Sequence, residues 1–432
     1  MTPSQEVETS AGPGLRKPLE FDIVSARFKS DPAATLAKMR AAGPVIPVRM
    51  PFIGRTWAAT TYEATLAMVQ DNGLFVQERR HAGKAGVAPG FSWWAPKAIR
   101  ILSNNMLLKD EPDHRRLRKL VDGAFARRDI LAMRPKVEAL ADRMLDGFAG
   151  AGEVDLVEAY ARPLPMAVIC DLLGLPEEDR AEFSALAQQV LAQQGRIANP
   201  LGLILAVGIF NRLLAYARGQ IEAARRTPQA GLIGELVRAE EAGDRLDADE
   251  LLSMIVLLLI AGSDTTRHLI ADSVIALARN PEQKARLLAD PSGRMERAVE
   301  ELARYASPVQ STNLRYAARD AEFFGAHLKR GEPILALLAS ANRDGAVFER
   351  PDELRLDRFP NRHLVFNSGI HFCLGMQLAR LEAQSALQRL YARFPDLSLA
   401  DPDRIEWVER FGLRGPKSLR VRLRQDTGRL AA

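Results

Sequence analysis

The sequence predicts a mainly helical chain with a small β region. Three observations carry that expectation. Residues 130–241 keep a helical pattern throughout, and 248–280 read as one long, mostly apolar helix. Strand-like alternation is confined to short runs at 45–50, 55–61 and 419–423. No linker-like stretch divides the 432 residues beyond the N-terminal segment, so residues 31–432 are expected to form one domain.

Taken in order, residues 1–17 are polar and rich in Gly, Pro, Ser and Thr. They lack the apolar core of a signal peptide or membrane anchor. With the residues up to 30 they are expected to form a mobile tail. Asp31-Pro32 suits an N-cap followed by Pro at the first helical position, and Ala41-Ala-Gly-Pro44 stops that helix. Runs 45–50 and 55–61 suit paired strands. Residues 75–105 are long and irregular, and a loop of that length in a compact domain is usually functional or mobile. Trp93 and Trp94 there suit ordinary packing and pocket lining equally well.

Pro112 opens a further helix. Breaks at Gly150–Gly152, Leu173-Gly-Leu-Pro176 and Asn199-Pro200 divide the helical stretch that follows, and Cys170 reads as a core residue within it. Residues 294–306 form another helix, ended by Pro308. Residues 344–361 are rich in Gly, Pro, Arg and Asp and show little periodicity. A helix spans 374–394, and the segment from Arg414 to Leu423 alternates like a terminal hairpin.

Composition narrows the function. Two cysteines rule out a disulfide scaffold and suit a reducing cytoplasm. A net charge of +5 is a modest excess, and no basic block alternates with aromatics, so nucleic acid is not an expected partner. Residues 201–210 and 251–260 are strongly apolar but too short to span a bilayer.

The chemistry concentrates around Cys373, in Phe366-Asn-Ser-Gly-Ile-His-Phe-Cys-Leu-Gly-Met. The sulfur stands between a loop and a helix start, where unpaired backbone N–H groups and the helix dipole favour a thiolate. Small neighbours such as Gly375 leave room for a large flat metal cofactor, and cysteine as axial ligand of haem is one such case. A buried free cysteine is the alternative. A zinc site with His371 lacks a second ligand pair at the right spacing.

A second concentration is Ala261-Gly-Ser-Asp-Thr-Thr266 in the middle of the long helix. Hydroxyls there can capture a carbonyl one turn back and loosen the ladder. A local rule broken in mid-core often marks a function, and an alcohol beside a carboxylate can relay protons. His114 and Arg118 share one helical face, which suits a pair of carboxylates or a solvated basic surface.

The Cys373 stretch resembles the haem-binding loop of the cytochrome P-450 superfamily of haem-thiolate monooxygenases. The family's Phe-x-x-Gly-x-x-x-Cys-x-Gly is matched by Phe366, Gly369, Cys373 and Gly375. Asn367 stands where soluble bacterial members usually carry a glycine, and Asn reaches positive φ less easily than Gly. Four further matches follow the family's order and spacing. The resemblance implies a single-domain, mainly α cytochrome P-450 fold with haem b held by Cys373. It implies that Ala261, Gly262, Asp264 and Thr265 belong to the oxygen-activating helix, with Asp264 and Thr265 managing protons.

It further implies that His114, Arg118, Arg315 and His371 hold the haem propionates. The buried Glu301–Arg304 pair supports the cysteine loop, and residues around 341–361 form the family's meander. The segment 177–226 resembles the variable lid helices. The implied reaction is reductive activation of dioxygen with insertion of one oxygen atom into a hydrophobic small molecule. The pocket is expected to draw on 91–102, 257–261 and 309–314. A haem-thiolate sensor, or a peroxide-driven hydroxylase of the same fold, would not need Asp264-Thr265.

No flavin- or dinucleotide-type glycine fingerprint follows a strand, and only 425–432 extend past the hairpin. Electrons are therefore expected from a separate ferredoxin or flavodoxin served by an NAD(P)H-dependent reductase. Arg116, Lys119 and Arg380 are expected to face solvent near the cysteine and steer that partner. A cytoplasmic monomer without a membrane anchor completes the expectation.

Overall fold

The computed structural model describes residues 19–50, 53–83, 96–126, 129–192, 200–227, 231–241 and 246–423. Residues 1–18, Trp93, Trp94 and residues 425–432 lie outside the described residues. Ala248–Arg279 is the axis of the molecule. A reciprocal capping box between Asp247 and Glu250 starts it, and Pro281 opens the next helix directly after Asn280. Its 32 residues rise about 48 Å. By length and composition it matches a membrane span, but 67% of its most apolar window is buried inside the protein, so it is a core helix. Around it pack Pro163–Leu173, Pro200–Arg226, Pro291–Ala306 and Met376–Arg393.

The largest of three described sheets has five strands. Its order is Val45–Met50, Gly54–Ala59, Pro333–Ala336, Arg315–Ala317, Phe75–Val76. Val45 faces Ala59 in the first, antiparallel pair, while Gly54–Ala59 and Pro333–Ala336 run parallel. Val45, Trp57, Phe75 and Ile334 give this sheet its own apolar cluster.

Two boundaries differ from the sequence expectation. Ordered structure begins before Asp31: Leu19 pairs with Val48, and the helix Ala26–Ser30 buries Phe28 and Lys29. Phe28 joins Leu36 and Met39 in a core cluster, a burial worth about 2 kcal/mol. The lysine is retained because Nζ donates to Gln310 Oε1. The expected C-terminal hairpin is found only in part. Trp407 and Pro416 form a local antiparallel bridge, but Arg420–Arg422 pairs instead with Ser398–Leu399 and with the distant Glu153–Asp155.

Candidate active site

The cysteine loop is shaped by two residues with positive φ, Asn367 (61°) and Gly369 (69°). Asn367 thus adopts the conformation for which a glycine is usual. Gly369 is required by space as well, since a Cβ there would lie 2.6 Å from the Val69 carbonyl oxygen. The Cys373 N–H donates to the Phe366 carbonyl (2.9 Å), and the helix Met376–Arg393 starts three residues on. Burial pushes the Cys373 thiol above its ordinary range, opposed by the Gly375 N–H and by Arg118 and Arg380. The helix start alone therefore does not secure a thiolate; a bound metal cation would, because a coordinating thiol loses its proton.

Beneath the loop, Glu301 and Arg304 are fully buried and joined by two hydrogen bonds of 2.7 and 2.8 Å. Glu301 also accepts from Arg358, Asn361 and the Arg355 N–H. Arg304 donates onward to the carbonyls of Asn342, Pro351 and Glu353. Asn342 then receives the Leu364 N–H at 2.7 Å, two residues before Phe366. The expected support of the cysteine loop is therefore a continuous hydrogen-bonded chain.

Cys373, Phe366 and Gly375 line a cavity of about 320 Å³ whose other walls include Ala261, Gly262, Thr265, Thr266 and Leu257 of the central helix. Thr265 Oγ1 donates to the Ala261 carbonyl (3.0 Å), and Ser263 Oγ to that of Leu259 (2.9 Å). The ladder is thus tapped by hydroxyls where the sequence indicated. Val309 and Thr312 also reach the cavity; of the expected 91–102 lining, 91–95 fall outside the described residues, and Lys97, Arg100 and Ile101 border a neighbouring cavity instead.

Asp264 does not stand beside the Thr265 hydroxyl, which corrects the expected pairing. Adjacent helical positions lie on different faces. The Asp264 carboxylate turns to Arg410 and to Arg267 Nη2 at 2.8 Å. Burial works against its charge, but His268, Arg267 and Arg410 hold it down at about 2. Burial and Arg267 push His268 to about 3, so it is neutral at neutral pH and the two arginines are the counter-ions. Arg410, 146 residues away, had no signal in the sequence.

The four expected carboxylate partners border the same cavity. The His114 and His371 rings meet edge to face, 4.5 Å between centroids. Burial lowers both imidazoles, His371 to about 3, so they act as neutral hydrogen-bonding groups. Arg118 donates to the Phe372 carbonyl (2.7 Å) and to Asp122. Arg315 is 1% exposed; burial lowers it to about 10, and it stays charged. Its Nε and Nη2 have no partner. A buried guanidinium with two orphaned donors fits a carboxylate brought by a ligand, as haem propionates would be.

The expected basic patch is largely spent on structure. Arg116 binds Glu250 at 2.5 and 3.0 Å and so ties its helix to the start of the central one. Arg380 binds Glu300 at 2.5 and 2.7 Å and lies over the Phe366 ring. Lys119 is exposed.

Comparison with known proteins agrees with this geometry. The cytochrome P450 family model matches residues 294–411. Polyketide biosynthesis cytochrome P450 PksS of Bacillus subtilis (strain 168) is 36% identical over 410 residues, covering 94% of this chain and 99% of the relative. The 6-deoxyerythronolide B hydroxylase of Saccharopolyspora erythraea is 36% identical over 93% of this chain and 98% of its own. The crystal structure of the myxobacterial cytochrome P450 CYP267B1 with myristic acid superposes with a TM-score of 0.84, at 34% identity, over 94% of this chain and 99% of that one. Relatives 36% identical and matched over nearly their whole length settle the family that the cysteine loop, its buried support and the hydroxyl-loosened helix point to: the chain belongs to the cytochrome P450 family and is a haem b monooxygenase acting on small organic molecules.

Proposed function

We propose that Cys373 is the axial ligand of haem b, and that the enzyme inserts one oxygen atom of dioxygen into a hydrophobic small molecule. The observation that supports this reading is one apolar cavity bordered by the Cys373 loop, by four candidate carboxylate partners and by the loosened turn at Ala261–Thr265. Haem, when bound, supplies reductive activation of dioxygen, with the thiolate donating electron density.

The remaining roles belong to the chain. Arg315 and Arg118 hold the propionates by charge-assisted bonds, and His114 and His371 orient them. Phe366 and Leu257 exclude water. Thr265 Oγ1, freed from the Ala261 carbonyl, holds the proton to be delivered into the cavity. Asp264, ionised at neutral pH, passes a proton on only after it leaves Arg267 or Arg410 and takes that proton from solvent. Electrons come from a ferredoxin or flavodoxin with its NAD(P)H-dependent reductase. That partner docks on the cysteine side, where Phe372 and Leu131 are exposed. The enzyme works as a cytoplasmic monomer.

The test is the reduced carbon monoxide complex of the wild type and of Cys373→Ser. The thiolate-type red-shifted band is expected in the wild type and absent in the variant. A band that survives the substitution refutes the ligand assignment.

A further inference from the structure

A second cavity, of about 610 Å³, adjoins the first, and Gln77 and Asn313 line both. Its character is different. Five cationic side chains border it: Arg79, Arg80, Lys97, Arg100 and Lys109. Two of them share one local counter-charge, because Glu78 meets Arg80 at 2.8 Å and Lys109 at 3.6 Å. Arg79 lies over the Tyr316 ring, 5.6 Å from its centroid, and its Nε is buried without a partner. Lys97 and Arg100 are three apart on the helix Lys97–Ser103, which puts them on one face. Among the described residues they make no ion pair. Asp249 is the one remaining acid on the lining, so the chamber keeps a positive excess. At the shared wall, Gln77 is 8% exposed and its Oε1 has no hydrogen-bond partner. A buried amide oxygen left without a donor is costly.

We propose that this chamber is an anion subsite at the mouth of the substrate cavity. Its ligand is the terminal carboxylate or phosphate of an amphiphilic substrate whose apolar body lies in the cavity of Cys373. The inference rests on the monooxygenase reading above and adds the substrate class. Lys97 and Arg100 receive the anion, Arg79 on the same lining supports it, and Gln77 takes a hydrogen bond from a hydroxyl or amide where the substrate passes between chambers. A tethered anion also fixes the depth of insertion, and so which carbon faces the haem.

The experiment titrates the haem-loaded enzyme with myristate, with tetradecyl phosphate and with neutral tetradecanol, following displacement of the iron's water ligand by absorbance. Wild type binds at least one of the anions more tightly than the alcohol, and the preference fades with added salt. Lys97→Gln/Arg100→Gln weakens anion binding about tenfold and the alcohol less than about twofold, as two exposed ion pairs would. The tighter anion identifies the carboxylate or the phosphate as the natural group. Equal affinity of alcohol and anions, failure of both anions to bind, or equal weakening of all three by the double variant overturns the subsite. None of these outcomes touches the carbon monoxide spectrum, so the fate of the monooxygenase reading is decided separately.

Discussion

Two buried carboxylates, Glu301 and Asp264, are each clamped by two arginines, yet they are built to different standards. Around Glu301 the carboxylate and both arginines are saturated: both carboxylate oxygens have several donors, Arg304 reaches three carbonyls, and the unpartnered buried atom, Asn361 Oδ1, lies at the margin. Around Asp264 they are not. Arg267 Nε, Arg410 Nε and His268 Nδ1 are buried without partners. A saturated buried network has one arrangement, because any displacement strands a charge. An unsaturated one has donors to spare and therefore alternatives. The first lies under the cysteine loop, whose geometry must not move. The second holds the acid that, in the proposed proton delivery, releases its partner to serve the cavity.

The largest effect is expected from breaking the saturated side. Glu301→Gln strands Arg304 and Arg358 and should destabilise by about 3–5 kcal/mol, with little haem incorporated. Denaturant unfolding and haem absorbance measure both. A loss below about 1 kcal/mol would remove this network as the loop's support.

Arg410→Gln should cost less and act differently. Haem content stays near wild type, while the ratio of product to peroxide changes because Asp264 is held by one arginine instead of two. The pH dependence sharpens the contrast. The folded carboxyl is depressed from the ordinary 3.8 to about 2, so its contribution, about 2 kcal/mol, is present above pH 3.8 and lost as pH falls through 2. Part of it vanishes in the variant, so wild type and variant should converge in stability at acid pH. Unfolding at pH 7 and at pH 2 checks this, and a gap that persists unchanged would place the effect elsewhere.

The smallest effect is expected at the surface. Lys119→Glu should leave stability within about 0.5 kcal/mol and slow reduction by a ferredoxin at low salt, with the difference closing as salt rises. Stopped-flow reduction across a salt series reads it, and identical rates throughout would take Lys119 out of the docking face.

Much of this was legible in the chain because local rules write it. Cys373 lies between a turn and a helix start, a long apolar run marks the central helix, and hydroxyls interrupt that run at Ser263–Thr266. Periodicity separates helix from strand without knowledge of partners. What the tertiary structure decided is where charges find each other. Arg116 and Arg380 read as solvated cations until Glu250 and Glu300 came within 2.5 Å. Asp264 read as the neighbour of Thr265 until Arg410 arrived from the far end of the chain. The strand Arg420–Arg422 sought partners at Glu153–Asp155, not beside itself. Side-chain direction and backbone propensity are set within a turn of helix. An ion pair or a strand pairing between residues remote in sequence is set by packing, and that depends on the whole sequence at once.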